Sequence, residues 1–326
     1  MSARTGVVLL SMGGPDSLEA VRPFLKNLFA DPYIFPVPGG RLLAPLIAWR
    51  RAPEARRYYE RLGGRSPLIA ETARQAEALG AALGARFFVT AAHRYWGPDE
   101  RAAAEECRRA GARTIVGLPM YPQYCRATTA SSLVALERAA RERALEVRAL
   151  DRFAHDAGYL EALAASVRGV LDGFGPGARP HVVFSAHGVP VSLVKKGDPY
   201  VAEVEATARA VERALPEGTP CHLAYQSRVG PMAWVGPSTE ETLRRLGAAG
   251  VREALLVPIS FVTEHVETLD EMDNRLAALA REHGVRDVRR APALGTAPAF
   301  IEALARLVAA RADGAPAPRL VQERAP

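Results

Sequence analysis

His187 closes the apolar run His181-Val182-Val183-Phe184-Ser185-Ala186 and precedes Gly188 and Pro190, so it stands where a buried strand ends. A second apolar run, 255–260, ends similarly and feeds the acidic stretch Thr263-Glu264-His265-Val266-Glu267-Thr268-Leu269-Asp270-Glu271. On a helix, Glu264, Glu267 and Glu271 fall at i, i+3 and i+7 and share one face. Carboxylates stacked in this way repel one another unless a cation or a proton relieves them. If the two runs are neighbours in a parallel sheet, the imidazole and the carboxylates meet in the crevice beyond the strands' carboxyl ends. Such a group can hold a divalent metal or move protons. Taken singly, His187 would be a strand-end histidine bonded to backbone, and the acidic residues would favour a helix N-terminus. The dipole accounts for Glu264 but not for Glu271, which lies beyond the first turn.

The elements that must position these residues alternate along the whole chain. Strand-like runs fall at 7–12, 87–92, 114–118, 147–151, 182–186, 222–226, 255–260 and 288–291. Helical patterns fall at 17–29, 69–83, 99–110, 128–144, 158–171, 201–214, 238–248, 269–283 and 298–312. Alternation of this kind predicts an α/β fold of βαβ units, with parallel sheets covered by helices on both faces. The third strand of each half ends alike, in Gly117-Leu118-Pro119-Met120-Tyr121 and in Val257-Pro258-Ile259-Ser260-Phe261, which hints at a duplicated domain. The expected units are 1–148 and 149–297, with helix 298–312 packing back on the first and a disordered Pro/Ala/Arg-rich tail, 313–326. Asp16 with Glu19, and Ser238 with Glu241, have capping-box spacing and mark two helix starts. The apolar, proline-broken segment 31–51 reads either as a loop and helix covering core or as an exposed lip over a greasy pocket, able to meet anionic lipid.

Composition narrows the function classes. The 326 residues are 48% hydrophobic and 24% charged, as in ordinary globular proteins. Three scattered cysteines argue for a reducing, cytoplasmic setting and supply no disulfide framework or Cys/His metal spacing. The N-terminus runs straight into a strand, leaving no room for a signal peptide, and no apolar stretch is long enough to span a bilayer. The net charge of +6 is carried almost wholly by arginine, with no nucleic-acid motif beside it. GxGxxG, P-loop and GxSxG patterns are absent, so the crevice is expected to serve something other than a nucleotide. Tyr95, Trp96, Tyr121, Tyr124 and Trp234 gather after strand-like runs and suit a flat apolar ligand. Arg50, Arg51 and Arg94 could meet carboxylates on such a ligand bidentately.

An ordered series of motifs resembles the ferrochelatases, which insert ferrous iron into a porphyrin. It runs through Ser11-Met12-Gly13-Gly14-Pro15, Leu62-Gly63-Gly64-Arg65-Ser66-Pro67, Arg94-Tyr95-Trp96, Tyr121-Pro122-Gln123-Tyr124 and Thr128-Thr129-Ala130-Ser131-Ser132. It continues through Phe184-Ser185-Ala186-His187-Gly188, Gly197-Asp198-Pro199-Tyr200, Gln226-Ser227-Arg228-Val229-Gly230-Pro231, Trp234-Val235-Gly236-Pro237 and His265-Val266-Glu267-Thr268-Leu269. The resemblance implies two similar Rossmann-like, chelatase-type domains with a porphyrin cleft between them. By motif, His187 corresponds to the family's catalytic histidine and Glu267 to its essential carboxylate, the two together meeting the metal. Glu264, His265 and Glu271 are then expected to relay protons or metal. Met12, Arg50, Arg51, Ser66, Arg94, Tyr95, Tyr121 and Trp234 are expected to contact porphyrin.

The implied reaction is insertion of Fe²⁺ into protoporphyrin IX, with coproporphyrin III, or cobalt insertion into a precorrin, as alternative chemistries. A non-catalytic heme- or metal-binding module on the same scaffold is the alternative of another class. Iron is a substrate in this reading, and no permanently bound cofactor is expected. Animal-type relatives hold a [2Fe–2S] cluster with C-terminal cysteines, which this tail lacks, so no cluster is expected. Gly97 stands where many members have histidine. Segment 34–51 corresponds to the lip associated with membrane contact in some members, so the expected location is cytoplasmic with peripheral lipid contact.

Overall fold

A computed structural model describes residues 4–37, 39–228 and 232–316. Strands β1 (Arg4–Ser11), β2 (Phe87–His93), β3 (Ala112–Pro119) and β4 (Glu146–Ala149) form one parallel sheet in the order β2-β1-β3-β4. Strands β5 (His181–His187), β6 (Cys221–Gln226), β7 (Glu253–Val257) and β8 (Asp287–Arg290) repeat that order as β6-β5-β7-β8. Each central strand is buried on both faces, which is why Val7–Val8–Leu9–Leu10 and Val182–Val183–Phe184 read as continuous apolar runs rather than alternating ones. All eight strand-like runs are strands, and the two halves share one topology.

Helices cover both sheets. They are α1 (Val21–Phe29), α2 (Gly40–Arg61), α3 (Leu68–Leu83), α4 (Glu100–Arg109), α5 (Ser131–Arg141), α6 (Ala157–Leu171), α7 (Val191–Lys195), α8 (Tyr200–Arg213), α9 (Thr239–Ala248), α10 (Ala277–Glu282) and α11 (Pro298–Ala312). Each half also has a π-helical segment after its third strand: Arg126–Ala130 ahead of α5, and Glu267–Leu276 ahead of α10. The continuous α-helices expected at 128–144 and 269–283 are therefore composite, and the wider π turn changes which residues share a face. Ser238 caps α9, its Oγ accepting from Glu241 N at 3.1 Å. Asp16 caps nothing: Ser17 Oγ accepts from Ala20 N at 3.2 Å to close a preceding turn, and α1 begins only at Val21.

The 31–51 segment both covers core and presents an exposed apolar stripe. It enters α2, a helix of 22 residues that carries Pro45 and Pro53 inside it. Ala44 and Ala48 are fully buried, while Leu42, Leu46 and Trp49, spaced i, i+4 and i+7, stand exposed at 86%, 62% and 59%.

One apolar core ties the halves together. It runs from Val7 and Leu9 through Phe153, Tyr159 and Phe300 to Phe184 and Val257. Phe153 meets Tyr159 edge-on at 5.3 Å, and Phe300 lies 6.1 and 6.3 Å from them. Helix α11 packs on both α3 and α6. Gln75 of α3 adds a buried polar anchor. Its Nε2 donates to Val262 O and Gly295 O, both at 3.0 Å, and its Oε1 accepts from Thr263 Oγ1 at 2.8 Å. The first half thus grips the connector that leads from β7 to Glu267. The expected tail 313–326 falls largely outside the described residues, since 317–326 are not among them.

Candidate active site

His187 is the last residue of β5 and Glu267 opens the π-helical segment after β7. Because β5 and β7 are sheet neighbours, their carboxyl ends bring the two side chains together, with His187 Nδ1 2.7 Å from Glu267 Oε2. The backbone around His187 is fixed from both sides: its N donates to Ser260 Oγ at 2.9 Å, and Tyr200 OH donates to its O at 3.0 Å. Phe261 stands edge-on to the imidazole, 6.3 Å between centroids. Gly188 lets the chain pass close to its neighbours, since a Cβ there would sit 2.8 Å from Gln226 O and 3.4 Å from the Trp234 ring.

Ser227 draws a second carboxylate in. Its Oγ lies 3.2 Å from Glu267 Oε2 and 2.5 Å from Glu271 Oε2, so its one proton is shared between the two carboxylates, and its N donates to Glu271 Oε1 at 3.1 Å. Ser227 adopts a left-handed backbone, φ 64°, which is uncommon outside glycine and is a form of local strain found at functional sites. Gln226, buried beside it, donates to Glu267 O at 3.1 Å and is held by Ser185 Oγ at 2.6 Å.

The electrostatics divide the three groups. Burial opposes charging the His187 ring, but the bonded Glu267 carboxylate, with Glu271 behind it, outweighs this and raises its pKa above 6.5. Burial alone would push Glu267 up; the His187 charge and hydrogen bond, with smaller help from His265 and Ser227, draw it down to about 2. Glu271 moves the other way, raised by burial and by the neighbouring Glu267 charge. Two carboxylates four residues apart therefore differ in proton affinity, the pattern of a site that separates an ionised role from a protonated one. His265 is lowered by burial, with Glu267 and Glu264 opposing.

Several expected residues lie elsewhere. Glu264 precedes the helix rather than sharing its face, so the i, i+3, i+7 argument does not reach it. It accepts from Arg290 Nη1 and Ala293 N, both at 2.9 Å, and from Thr268 Oγ1 at 2.5 Å, all away from His187. Arg94 is committed to a closed network in the first half: its Nε donates to Ser131 Oγ at 2.9 Å and its Nη2 lies 3.0 Å from Asp31 Oδ2. Tyr95 OH donates to the same Asp31 oxygen at 3.0 Å. Burial raises the Tyr121 hydroxyl, and its titratable neighbours are Tyr95, Glu100 and Arg94 rather than the Glu267 group. Ser66 is buried, its Oγ accepting from Leu68 N at 3.3 Å. Arg51 lies 4.0 Å from Glu54 in a loose surface pair, and Arg50 is exposed on α2.

Met12, Tyr95 and Trp96 pack with Tyr59 of α2 and with Val266, immediately before Glu267, so an apolar wall from the first half faces the acidic group of the second. Tyr59 was not singled out by the sequence. Its hydroxyl is raised by burial and by the nearby Glu267 charge. Ser227 was visible only as part of a motif, and its role depends on contacts about 40 residues away. Among the described residues, no group of three or more His, Cys, Asp or Glu side chains is arranged to hold a metal ion.

Two parallel four-stranded sheets of the same order, with a titratable pair at the strand ends of the second, are the architecture of chelatase-type proteins. The solved structures point the same way for the fold. SirB from Bacillus subtilis, solved with Fe³⁺, matches with a TM-score of 0.60 at 14% identity, covering 95% of this chain and 96% of that one. CbiX, described as the terminal enzyme of siroheme biosynthesis in denitrifying bacteria, matches with a TM-score of 0.52 at 16% identity over 93% and 96%. In sequence, the ferrochelatase family model matches residues 4–312. Ferrochelatases of Geobacter metallireducens and Aquifex aeolicus are 46% and 41% identical to it, each over 94% of this chain and 98% of the relative. The chain belongs to the ferrochelatase family, and it is a metal chelatase.

Proposed function

We propose that the protein inserts Fe²⁺ into protoporphyrin IX, giving protoheme and two protons, as a lyase of heme biosynthesis. The observation that carries this reading is the 2.7 Å His187–Glu267 pair, backed by Ser227 and Glu271 and facing the apolar wall of Met12 and Tyr95. Insertion requires two pyrrole protons to leave as one dication arrives. Glu267, ionised down to about pH 2, offsets the incoming charge. His187 has Nδ1 engaged by Glu267, so Nε2 is the ring nitrogen left to take a pyrrole proton or to ligate iron. Glu271, with its raised proton affinity, and His265 then pass protons outward. Glu264, tied to Arg290, is omitted from this relay. Iron is a substrate throughout, and the protein carries no resident cofactor and no [2Fe–2S] cluster.

The porphyrin lies against Met12, Tyr95 and Trp234, with Ser66 and Tyr121 in the supporting wall and Arg50 and Arg51 on the lip to meet its carboxylates. The exposed Leu42, Leu46 and Trp49 stripe, flanked by those arginines, supports peripheral contact with lipid from the cytoplasm. Among the described residues no helix is long and apolar enough to cross a membrane. The same greasy lip favours protoporphyrin IX over the more acidic coproporphyrin III. Anaerobic Fe²⁺ insertion with the two porphyrins side by side tests this: faster turnover of protoporphyrin IX is expected. Preference for coproporphyrin III reassigns the substrate, and stoichiometric binding without metalated product makes the protein a carrier.

A further inference from the structure

The last turn of α2 reaches across the junction. Arg61, its final residue, donates Nε to Asp270 Oδ1 at 2.6 Å and Nη2 to Asp270 Oδ2 at 2.7 Å, a two-pronged ion pair. Asp270 is 3% exposed and lies three residues after Glu267, in the first π turn. Asn274 Nδ2 approaches the same carboxylate at 3.5 Å. On the same turn of α2, Tyr58 lies under the Arg61 guanidinium at 5.1 Å, and the buried Tyr59 feels the Glu267 charge.

The π segment is thus held from two directions. Its own half grips Glu267 and Glu271 through Gln226 and Ser227. The other half grips it through Arg61, on the helix that also carries the exposed lip. A two-pronged bond to a buried carboxylate has little angular freedom, and a π turn is a local departure from regular helix with few intrinsic preferences to restore it. What fastens Asp270 therefore fastens the orientation of Glu267.

We infer that Arg61 and Asp270 are a positioning pair for metal insertion: they fasten the first π turn to the lip helix and so hold Glu267 against His187. This rests on the reading of His187 and Glu267 as the insertion site. The pair touches neither porphyrin nor metal and acts through Glu267.

Removing Arg61 alone would strand a buried carboxylate and risk unfolding. The test therefore uses the double variant Arg61→Ala/Asp270→Asn beside Arg61→Lys, which keeps the charge and loses the fork. Each is measured for Fe²⁺ KM and kcat, for metal-free protoporphyrin IX binding by fluorescence, and for thermal midpoint. The double variant is expected to lose about 10- to 100-fold in kcat/KM for Fe²⁺, the scale of a small misplacement of a reacting group. Its porphyrin affinity should stay within about 3-fold of the wild-type protein's, and Arg61→Lys should fall between the two on metal kinetics. Unchanged metal kinetics in the double variant would overturn the inference. So would parallel losses of porphyrin affinity and thermal midpoint, which mark a purely structural bridge. A wild-type protein that inserts no iron overturns the functional reading itself, whereas an active wild type with indifferent variants overturns only the positioning pair.

Discussion

The two halves of the molecule share a strand order, a π-helical segment after the third strand and a Gly-Pro-containing exit from the first, yet their strand ends are chemically opposite. Where the first half leaves β1 through Met12-Gly13-Gly14-Pro15, the second leaves β5 through His187-Gly188-Val189-Pro190. In the first sheet Ser11 pairs in register with His93; in the second His187 pairs with Gln226. In the first half Ser11, His93 and Asp31 are closed on partners of their own half. His93 is buried against Ser11 Oγ at 2.7 Å, and desolvation lowers it to about 4, so it stays neutral. Asp31 is saturated by Arg94, Tyr95, Ser131 and the backbone of Tyr33. In the second half the titrating groups face one another part-exposed, with proton affinities driven apart. One scaffold thus yields a rigid apolar wall in one copy and a proton- and metal-handling group in the other. Closure of the Ser11–His93 pair and of the Asp31 carboxylate is what separates the two, because satisfied polar groups are rigid and offer no free valence to a ligand.

That contrast can be broken most severely at Glu267. Glu267→Gln keeps the shape and removes the charge that both attracts the dication and raises His187. Metal insertion is expected to fall by about 10³-fold or more with porphyrin binding retained, on the scale of losing a positioned acid–base and electrostatic group. Ser227→Ala comes next. It removes a bond that lowers both carboxylates, so Glu271 should rise further and the acid limb of the rate profile should move to higher pH. The expected fall in kcat is about 10-fold, the scale of one lost orienting hydrogen bond to a charged group.

The smallest effect is on stability. His187, raised in the folded protein, contributes stability that is complete below its ordinary 6.5 and is lost as pH climbs through its higher folded value. Glu267, lowered to about 2, contributes stability present above its ordinary 4.5 and lost as pH falls toward 2. The pair therefore stabilises most between pH 4.5 and 6.5. Thermal melts of wild type and Glu267→Gln should differ most within that window and converge at strongly acid pH. A constant difference across pH would sever the pair from the titration.

Much of this was legible in the sequence because it is written locally. Eight apolar runs became eight strands, and His187 stood at a strand end as its flanking Gly188 and Pro190 implied. The length of helix α2 was masked by Pro45 and Pro53, which normally interrupt helices but here lie on exposed positions of a long one. Glu264 was misplaced because the acidic run was read with a 3.6-residue period from its first carboxylate, whereas the helix starts later and winds as a π-helix. Arg94 offered an arginine near the crevice, but nothing local showed that Asp31 already engages it. The roles of Ser227, Tyr59 and the Arg61–Asp270 pair were invisible for a common reason. Each acts on residues 40 to more than 200 positions away, and only folding brings them together.

The central claim is that insertion chemistry belongs to the second half's strand-end histidine and not to the first half's. Single-turnover anaerobic Fe²⁺ insertion into protoporphyrin IX, run side by side on His187→Gln and His93→Gln, tests it most directly. The second change gives the first sheet the residue that the second already carries at the matching position. The account expects His187→Gln to lose about 10³-fold with porphyrin still bound, and His93→Gln to stay within about 3-fold of wild type. Comparable losses in both variants, or an active His187→Gln, would contradict it.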